Sequence, residues 1–394
     1  MSDAPPGMRT LTVSRTTARF LTDGHPWVRP DRFTRGLEVL HAGEPVTLVD
    51  DAGKRLASAL ADPAHEICAR VYHRRADMPF VPAQALTRAW DKRAALHADS
   101  ATDCYRVVHG EADFLPGLRI ERHATVFVVL VLADCALPYA DEICRSLQRR
   151  LPEAIVVRRD HRSDLRREDV TTRRYGGGEL DPEAVVIGRE LGVRYPLRPF
   201  AGLATGIYVD QRATRAWLQP QATGRRVLNL FAYTGAFSLA LLQAGAASAV
   251  DVDLAGPALA RAGEAAVLNG FADRHRIHQE DCRRFLQGTG EEFDLIICDP
   301  PTAAHGGDGW ILRRDYPEVL RAACTRLAPG GLLVACCNTI GGKPLPLGDL
   351  VSQAALAAGI GLHPESAPAL GEDLPQLAGF PEGRPHRVVV VRRK

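Results

Sequence analysis

The chain has very little lysine. Of 49 basic residues only four are lysine: Lys54, Lys92, Lys343 and Lys394. Its positive charge is therefore almost all guanidinium, whose planar fork suits phosphates and stacking; a GC-biased genome would give the same composition. It also lacks any apolar run near the roughly 20 residues that span a bilayer. The N-terminal Met1–Thr10 stretch shows no charged region followed by an apolar core, and a soluble, cytoplasmic protein is the expectation. The nine cysteines are odd in number and form no Cys-x-x-Cys or Cys/His ligand grouping. That argues against a disulfide framework and against a structural metal site; most should be buried thiols in a reducing compartment. A Gly-x-Gly-x-x-Gly motif is missing as well, so no glycine nest awaits a pyrophosphate.

What is present is ordinary globular composition: 394 residues, 46% hydrophobic and 24% charged. This length suggests two or three domains with a core large enough to need no disulfides. The net charge is only +2, but arginines crowd one stretch. Arg158, Arg159, Arg162, Arg166, Arg167, Arg173 and Arg174 read either as a phosphate-contacting strip or as a solvated face.

Three regions emerge. Residues 8–75 read as small and mostly β, with strands expected over 44–50, 55–60 and 66–72 and a turn at 51–53. Residues 76–195 read as mixed: a helix over 83–97, a buried strand over 126–132, a helix over 138–151, then the arginine strip. Residues 196–394 alternate strand and helix. Strands are expected at 227–231, 248–253, 276–279, 295–298 and 332–336, and helices at 237–245, 257–268, 316–327 and 348–358. Such alternation implies a parallel sheet covered on both faces. The β-branched run 387–393 suits an antiparallel strand beside the others.

Ligands of open α/β sheets sit at the carboxyl ends of the strands. After the first strand, Asn229-Leu-Phe-Ala-Tyr-Thr-Gly235 places one glycine at the turn. The second strand ends at Asp253, which can accept ribose hydroxyls or cap a helix; Asp251 is the alternative. The third ends at Asp281-Cys282, where an acidic residue can accept an adenine amine or sit in a solvated turn. The fourth ends at Asp299-Pro300-Pro301-Thr302, a loop that the prolines hold in one shape.

With these residues in this order, the third region resembles a class I S-adenosylmethionine-dependent methyltransferase. More narrowly, the chain resembles bacterial large-subunit ribosomal RNA methyltransferases that join a PUA domain, a linking α/β domain and a Rossmann-like catalytic domain. The resemblance rests on Gly24-His-Pro-Trp-Val28, Tyr105 to Gly117 with its Asp-Phe-Leu-Pro-Gly end, Gly206-Ile-Tyr-Val-Asp-Gln-Arg212, Leu228 to Gly235, and Asp299-Pro-Pro301. It implies an α/β protein: a Rossmann-like parallel sheet with one antiparallel strand, preceded by a β-rich PUA domain and an α+β linking domain. It also implies that S-adenosylmethionine is held by Gln211, Asn229, Phe231, Tyr233, Thr234, Gly235, Asp253, Asp281, Cys282 and Asp299. Asp210 and Arg212 should lie near it, ribosomal RNA should meet the first domain and the arginine strip, and a homodimer is common among such relatives. The sulfonium needs no metal for its activation.

The methylated atom depends on the end of the fifth strand. Family members that make 5-methylcytosine use a cysteine there as nucleophile. Counting from Gly330-Gly331, that position here is Asn338. Cys337 falls one residue early, and a one-residue slip on a strand reverses the face. Relatives with Asn-Asn here and Asp-Pro-Pro-Thr methylate guanine N7. Asp299, Pro300 and Asn338 are thus the expected catalytic group, with Cys337 the alternative for cytosine, and Asp315 a second source of negative charge. Rival readings are a small-molecule methyltransferase, a nicotinamide dehydrogenase and a non-catalytic RNA-binding protein.

Overall fold

The computed structural model describes residues 8–162, 171–176, 181, 183–200, 205–304, 309–338 and 344–394. The chain divides into two compact units. The first is Met1–Asp181 with Glu372–Gly383; the second is Pro182–Gly371 with Arg384–Lys394.

The first unit holds two five-stranded sheets. Arg9–Thr12, Trp27–Val28, Pro45–Val49, Arg55–Ala61 and Ala69–His73 make one. Helix Arg15–Thr22, which the sequence pattern did not suggest, sits within this region; Ser14 caps it. Cys104–His109, Leu118–His123, Val126–Val131, Ile155–Asp160 and Thr171–Tyr175 make the other. Its one parallel pair, Val126–Val131 with Ile155–Asp160, is bridged by helix Leu137–Arg150, as a parallel connection requires. The expected helix over 83–97 is broken at Arg93 into Pro82–Asp91 and Ala94–Ala98. Arg93 is wholly buried, and its guanidinium grips both oxygens of Asp113 at 2.8 and 2.7 Å. The backbone bends where that ion pair is anchored.

In the second unit we name the strands β1 (Arg226–Leu230), β2 (Ser248–Asp253), β3 (His275–Gln279), β4 (Phe293–Cys298), β5 (Leu327–Cys337), β6 (Leu362–Pro364) and β7 (Arg387–Arg393). The helices are α1 (Arg212–Leu218), α2 (Ala236–Gln243), α3 (Gly256–Leu268), α4 (Cys282–Gly288), α5 (Leu312–Arg326) and α6 (Leu347–Ala357). The sheet order is β3-β2-β1-β4-β5-β7-β6, with β7 antiparallel to both neighbours. The order reverses between β1 and β4, which makes their ends the switch point where ligands bind. Leu228, Leu230, Ile296, Leu333, Ala335 and Cys337 share one buried face with Leu320 and Val351 from α5 and α6. Helix α2 is apolar all round, with six consecutive residues buried, because it lies wholly inside the unit. Helices α1 and α4 and the short strand β6 went unread in the sequence.

The division differs from a boundary at 195/196. Hairpin Val186–Glu190 and Val193–Leu197 joins the second unit, since Glu190 is buried against Arg215 of α1 and Arg194 is tied to Asn269. Residues 372–383 return to the first unit: Asp373 accepts from the Arg106 backbone at 3.1 Å, and Phe380 packs edge-on against Trp27 at 4.7 Å.

Gly235 opens α2 at φ +69°, and a Cβ there would lie 2.3 Å from Asp251 Oδ2. Gly235→Ala should therefore cost about 2–4 kcal/mol, from left-handed strain plus overpacking. A urea titration followed by tryptophan fluorescence checks this; an unchanged midpoint would show that the carboxylate gives way freely.

Candidate active site

The loop after β1 is left-handed at three alternate positions. Phe231 and Tyr233 adopt φ +59° and +52°, and Gly235 follows at +69°. Left-handed bulky residues are costly and persist only where the surroundings force them. Here the forcing contacts are visible. Asp253 Oδ2 accepts from the Tyr233 backbone at 2.8 Å, and its Oδ1 accepts from Ala255 at 2.8 Å. Thr234 donates its hydroxyl to the Gly206 carbonyl at 2.6 Å. Each Asp253 oxygen keeps a lone pair, so the carboxylate can brace the loop and still accept a ribose hydroxyl. Asn229 is placed differently from its neighbours: it is buried and donates to Asp251 at 2.9 Å, inside the sheet instead of at the strand ends.

Asp281 caps α4 through the Arg283 backbone at 2.8 Å and is chelated by the Arg283 side chain, which holds its carboxyl below the usual range. Cys282 is buried, with Sγ 3.7 Å from the Val252 carbonyl; burial pushes its thiol up. Its side chain is thus part of the core under the strand ends.

Asp299 ends β4 and is half-buried. Its Oδ2 accepts from the Gln211 amide at 3.0 Å. Desolvation pushes this carboxyl up to about 7, nearby Asp210 pushes the same way, and the Gln211 bond and Arg215 oppose them. Arg215 does not come closer because it is already committed. It binds both oxygens of buried Glu190 at 2.6 and 2.8 Å, and the Tyr208 carbonyl at 2.9 Å. The segment Gly206–Arg212 is thereby fixed from the Thr234, Arg215 and Asp299 sides.

The end of β5 settles the orientation of the thiols. Cys337 is buried among the residues facing α5 and α6, with Sγ 3.8 Å from Arg387 Nη2. Cys336, on the opposite face, lies beside Gln211 and Asp299, and burial pushes its thiol far up. Asn338 follows, exposed, and its Oδ1 accepts from the Thr302 hydroxyl at 3.0 Å. Pro300 is buried. The Asp-Pro-Pro loop is pinned by Trp310, whose indole donates to the Pro301 carbonyl at 2.7 Å and packs on Phe231 at 4.8 Å. Asp315 does not reach the loop as free charge: it caps the Ile311 backbone at 2.7 Å and pairs with Arg314.

The arginine strip is narrower than the sequence suggests. Arg158 and Arg159 point into the protein from a central strand; Arg158 is clasped by Asp160 and Asp141. Arg162 pairs with Asp134 at 2.6 Å. Arg173 is exposed and Arg174 half-exposed, on the edge strand. Arg166 and Arg167 lie outside the described residues. Among the described residues no group of His, Cys, Asp or Glu is placed to hold a metal ion, and no helix is long and apolar enough to cross a membrane.

Sequence reasoning missed Tyr316. Its fully buried hydroxyl lies 3.0 Å from the carbonyls of both Cys298 and Cys336, at the ends of β4 and β5. A tyrosine in an amphipathic helix carries no signal for that bridge. Tyr316→Phe would remove this donor from the strand-end carbonyls and should cost about 1–3 kcal/mol. Chemical denaturation measures it; a loss below about 0.5 kcal/mol would mean water replaces the hydroxyl.

The comparisons agree with this geometry. A family model described as S-adenosylmethionine-dependent methyltransferase matches residues 145–358, and one described as a PUA-like domain matches residues 11–74. A ribosomal RNA large subunit methyltransferase of Deinococcus radiodurans is 33% identical over 344 residues, 82% of this chain and 83% of its own. Ribosomal RNA large subunit methyltransferase I of Tolumonas auensis is 31% identical over 398 residues, 97% of this chain and 99% of its own. A solved S-adenosylmethionine-dependent methyltransferase from Streptococcus mutans shares the fold at TM-score 0.80 and 21% identity, covering 98% of this chain and 100% of its own. With strand-end carboxylates and a strained loop at the switch point that suit S-adenosylmethionine, the chain belongs to the S-adenosylmethionine-dependent methyltransferase family.

Proposed function

We propose that the enzyme methylates a base of large-subunit ribosomal RNA and that the base is guanine, at N7. The RNA reading is supported by the names of the relatives and by the PUA-like match over residues 11–74. Arg173 and Arg174 are suited to phosphate contacts that position without reading sequence. The N7 reading is carried by one observation: exposed Asn338, held by Thr302, ends β5 while both adjacent thiols are buried. A cysteine nucleophile needs exposure and a lowered pKa, and Cys336 has the opposite. Guanine N7 carries its own lone pair, so transfer requires proximity and orientation only.

S-adenosylmethionine supplies an electrophilic methyl group, and Asp253, Asp281 and the 231–235 loop are the residues suited to hold it. With Oδ1 accepting from Thr302, the Asn338 Nδ2 can donate to guanine O6, next to N7. Positive charge arrives on the base as the methyl does. The Asp299 carboxylate, braced by Gln211, offsets that charge. No proton is released at this step, so no general base is required.

The test is transfer of labelled methyl from S-adenosylmethionine to RNA of ribosomes lacking the modification, then nucleoside analysis. We expect 7-methylguanosine, about 10-fold slower with Asn338→Ala for one lost hydrogen bond, and unaffected by Cys337→Ser. 5-Methylcytidine that disappears with Cys336→Ser or Cys337→Ser would overturn the N7 assignment.

Asp299 adds a pH dependence. Its ionised form is the working one, so the transfer rate should rise with pH through about 7. Asp299→Asn should be slower and flat across that range. Folding gives a second reading with its own sign. The carboxyl loses its proton near 4 when unfolded and at about 7 when folded. Stability from this group is thus full below about 4 and falls as pH rises to about 7. In protein without cofactor, any stability gain of Asp299→Asn over wild type should be larger at pH 8 than at pH 5. Equal differences by urea titration would contradict it.

A further inference from the structure

We propose that Tyr208, backed by Tyr233, is a stacking platform for an unstacked nucleobase of the RNA substrate; this rests on the RNA reading above. Three observations lead there. First, the Tyr208 side chain is 56% exposed, although its backbone is held from two sides. The Gly206 carbonyl accepts from Thr234, the Tyr208 carbonyl from Arg215, and Gln211 reaches Asp299. A large ring left exposed on a fixed backbone costs little entropy when a flat ligand lands on it.

Second, the ring has an aromatic neighbour. Tyr208 and Tyr233 lie 5.1 Å apart at 49°, and the Arg261 guanidinium sits 5.6 Å from the Tyr233 ring. Tyr233 is thus packed from elsewhere, and Tyr208 is the member of the pair with area to offer. Third, the platform is on the acceptor side of the sheet. Its segment touches Asp299 at the end of β4 and lies beside Cys336 of β5. The carboxylates suited to ribose and adenine, Asp253 and Asp281, end β2 and β3, on the other side of the switch point. The contact with Asp299 assigns a base stacked on Tyr208 to the substrate; because the segment also meets the 231–235 loop through Thr234 and Tyr233, the S-adenosylhomocysteine arm of the test tells that base from the cofactor's adenine.

Every base has a π-face, so such a platform binds without choosing among bases. Discrimination stays with Asn338 and Thr302.

The test uses the full-length enzyme, with Tyr208→Ala, Tyr208→Leu and Tyr208→Phe. KM is measured for transcribed large-subunit RNA, and Kd for S-adenosylhomocysteine by calorimetry. Quenching of a single-stranded RNA carrying 2-aminopurine reports stacking directly. Tyr208→Ala and Tyr208→Leu should raise the RNA KM on the order of 10-fold and lower the quenching. Tyr208→Phe should restore both, and S-adenosylhomocysteine affinity should not move. Unchanged RNA KM in Tyr208→Leu overturns the platform, as does a loss confined to S-adenosylhomocysteine binding. If the wild type itself transfers no methyl to any RNA, the RNA reading fails and the platform falls with it, an outcome told apart because the unmutated enzyme is the arm that fails.

Discussion

A single buried carboxylate holds the β1–β3 half of the second unit together. Asp251 accepts from Asn229 of β1 at 2.9 Å, from Ser238 of α2 at 2.5 Å and from His275 of β3 at 2.7 Å. One residue of β2 thereby ties both flanking strands and the helix that follows the loop. Its Oδ2 also fills the space beside Gly235, which is why that residue has no Cβ. A buried carboxylate with unmet lone pairs is expensive, and three donors remove most of that expense. With α2 and the strand ends fixed in this way, Phe231 and Tyr233 have no relaxed alternative between them. Their left-handed backbone is the consequence, and Asp253, two residues beyond Asp251, meets it from the strand end.

The β4–β5 half is governed by charge left uncompensated. Arg215 stands near Asp210 and Asp299, yet Glu190 takes both of its forks in the interior. Among the described residues Asp299 therefore receives an amide and not a cation. Two carboxylates, Asp210 and Asp299, face one region with poor hydration, and the carboxyl of Asp299 rises in response. A site with that bias attracts positive charge. A sulfonium brings such charge before transfer, and under the proposed N7 reading a methylated purine would bear it afterwards, so the same field would favour both ends of that reaction. Tyr316 keeps the geometry of this half by bridging the ends of β4 and β5, which carry Asp299 and lead to Asn338.

Much of the fold was legible because its signals are local. The runs at 248–253 and 387–393 coincide with strands, and the helices at 257–268 and 348–358 fall within a residue of their ends. Parallel strands buried on both faces leave near-continuous apolar runs, which are easy to see. Helix α4 is hidden because Asp281 reads as a ligand or as part of a solvated turn, and neither reading announces a helix cap; the carboxylate caps α4. Asn229 was misjudged for a related reason. It sits two residues before a strained turn, but strand alternation carries it to the inner face. That same alternation is what allowed Cys337 to be set apart from the acceptor side. The arginine strip is only partly legible because composition does not reveal direction: Arg158 and Arg159 are buried on a strand flanked on both sides, where Asp141 and Asp160 pair with Arg158.

The segments that make this chain recognisable are mostly not those that determine its chemistry. Within the Asp-Phe-Leu-Pro-Gly segment, Asp113 anchors buried Arg93, and Phe114 turns through φ +59°. In the Gly-His-Pro-Trp segment, Trp27 donates to Glu111 at 2.9 Å and packs on Phe380. These are solutions to folding problems, and any member built on the same frame must meet them. In the proposed reading, the choice of atom would lie elsewhere, in which side chain follows β5 and what holds it. A cysteine at position 338 would carry its thiol into the open and make covalent attack available. An asparagine there, with its carbonyl taken by Thr302, offers a hydrogen-bond donor and no nucleophile. Under the proposed N7 reading, the one position after β5 would separate two chemistries on a common scaffold; the thiols before it, Cys336 and Cys337, are both buried.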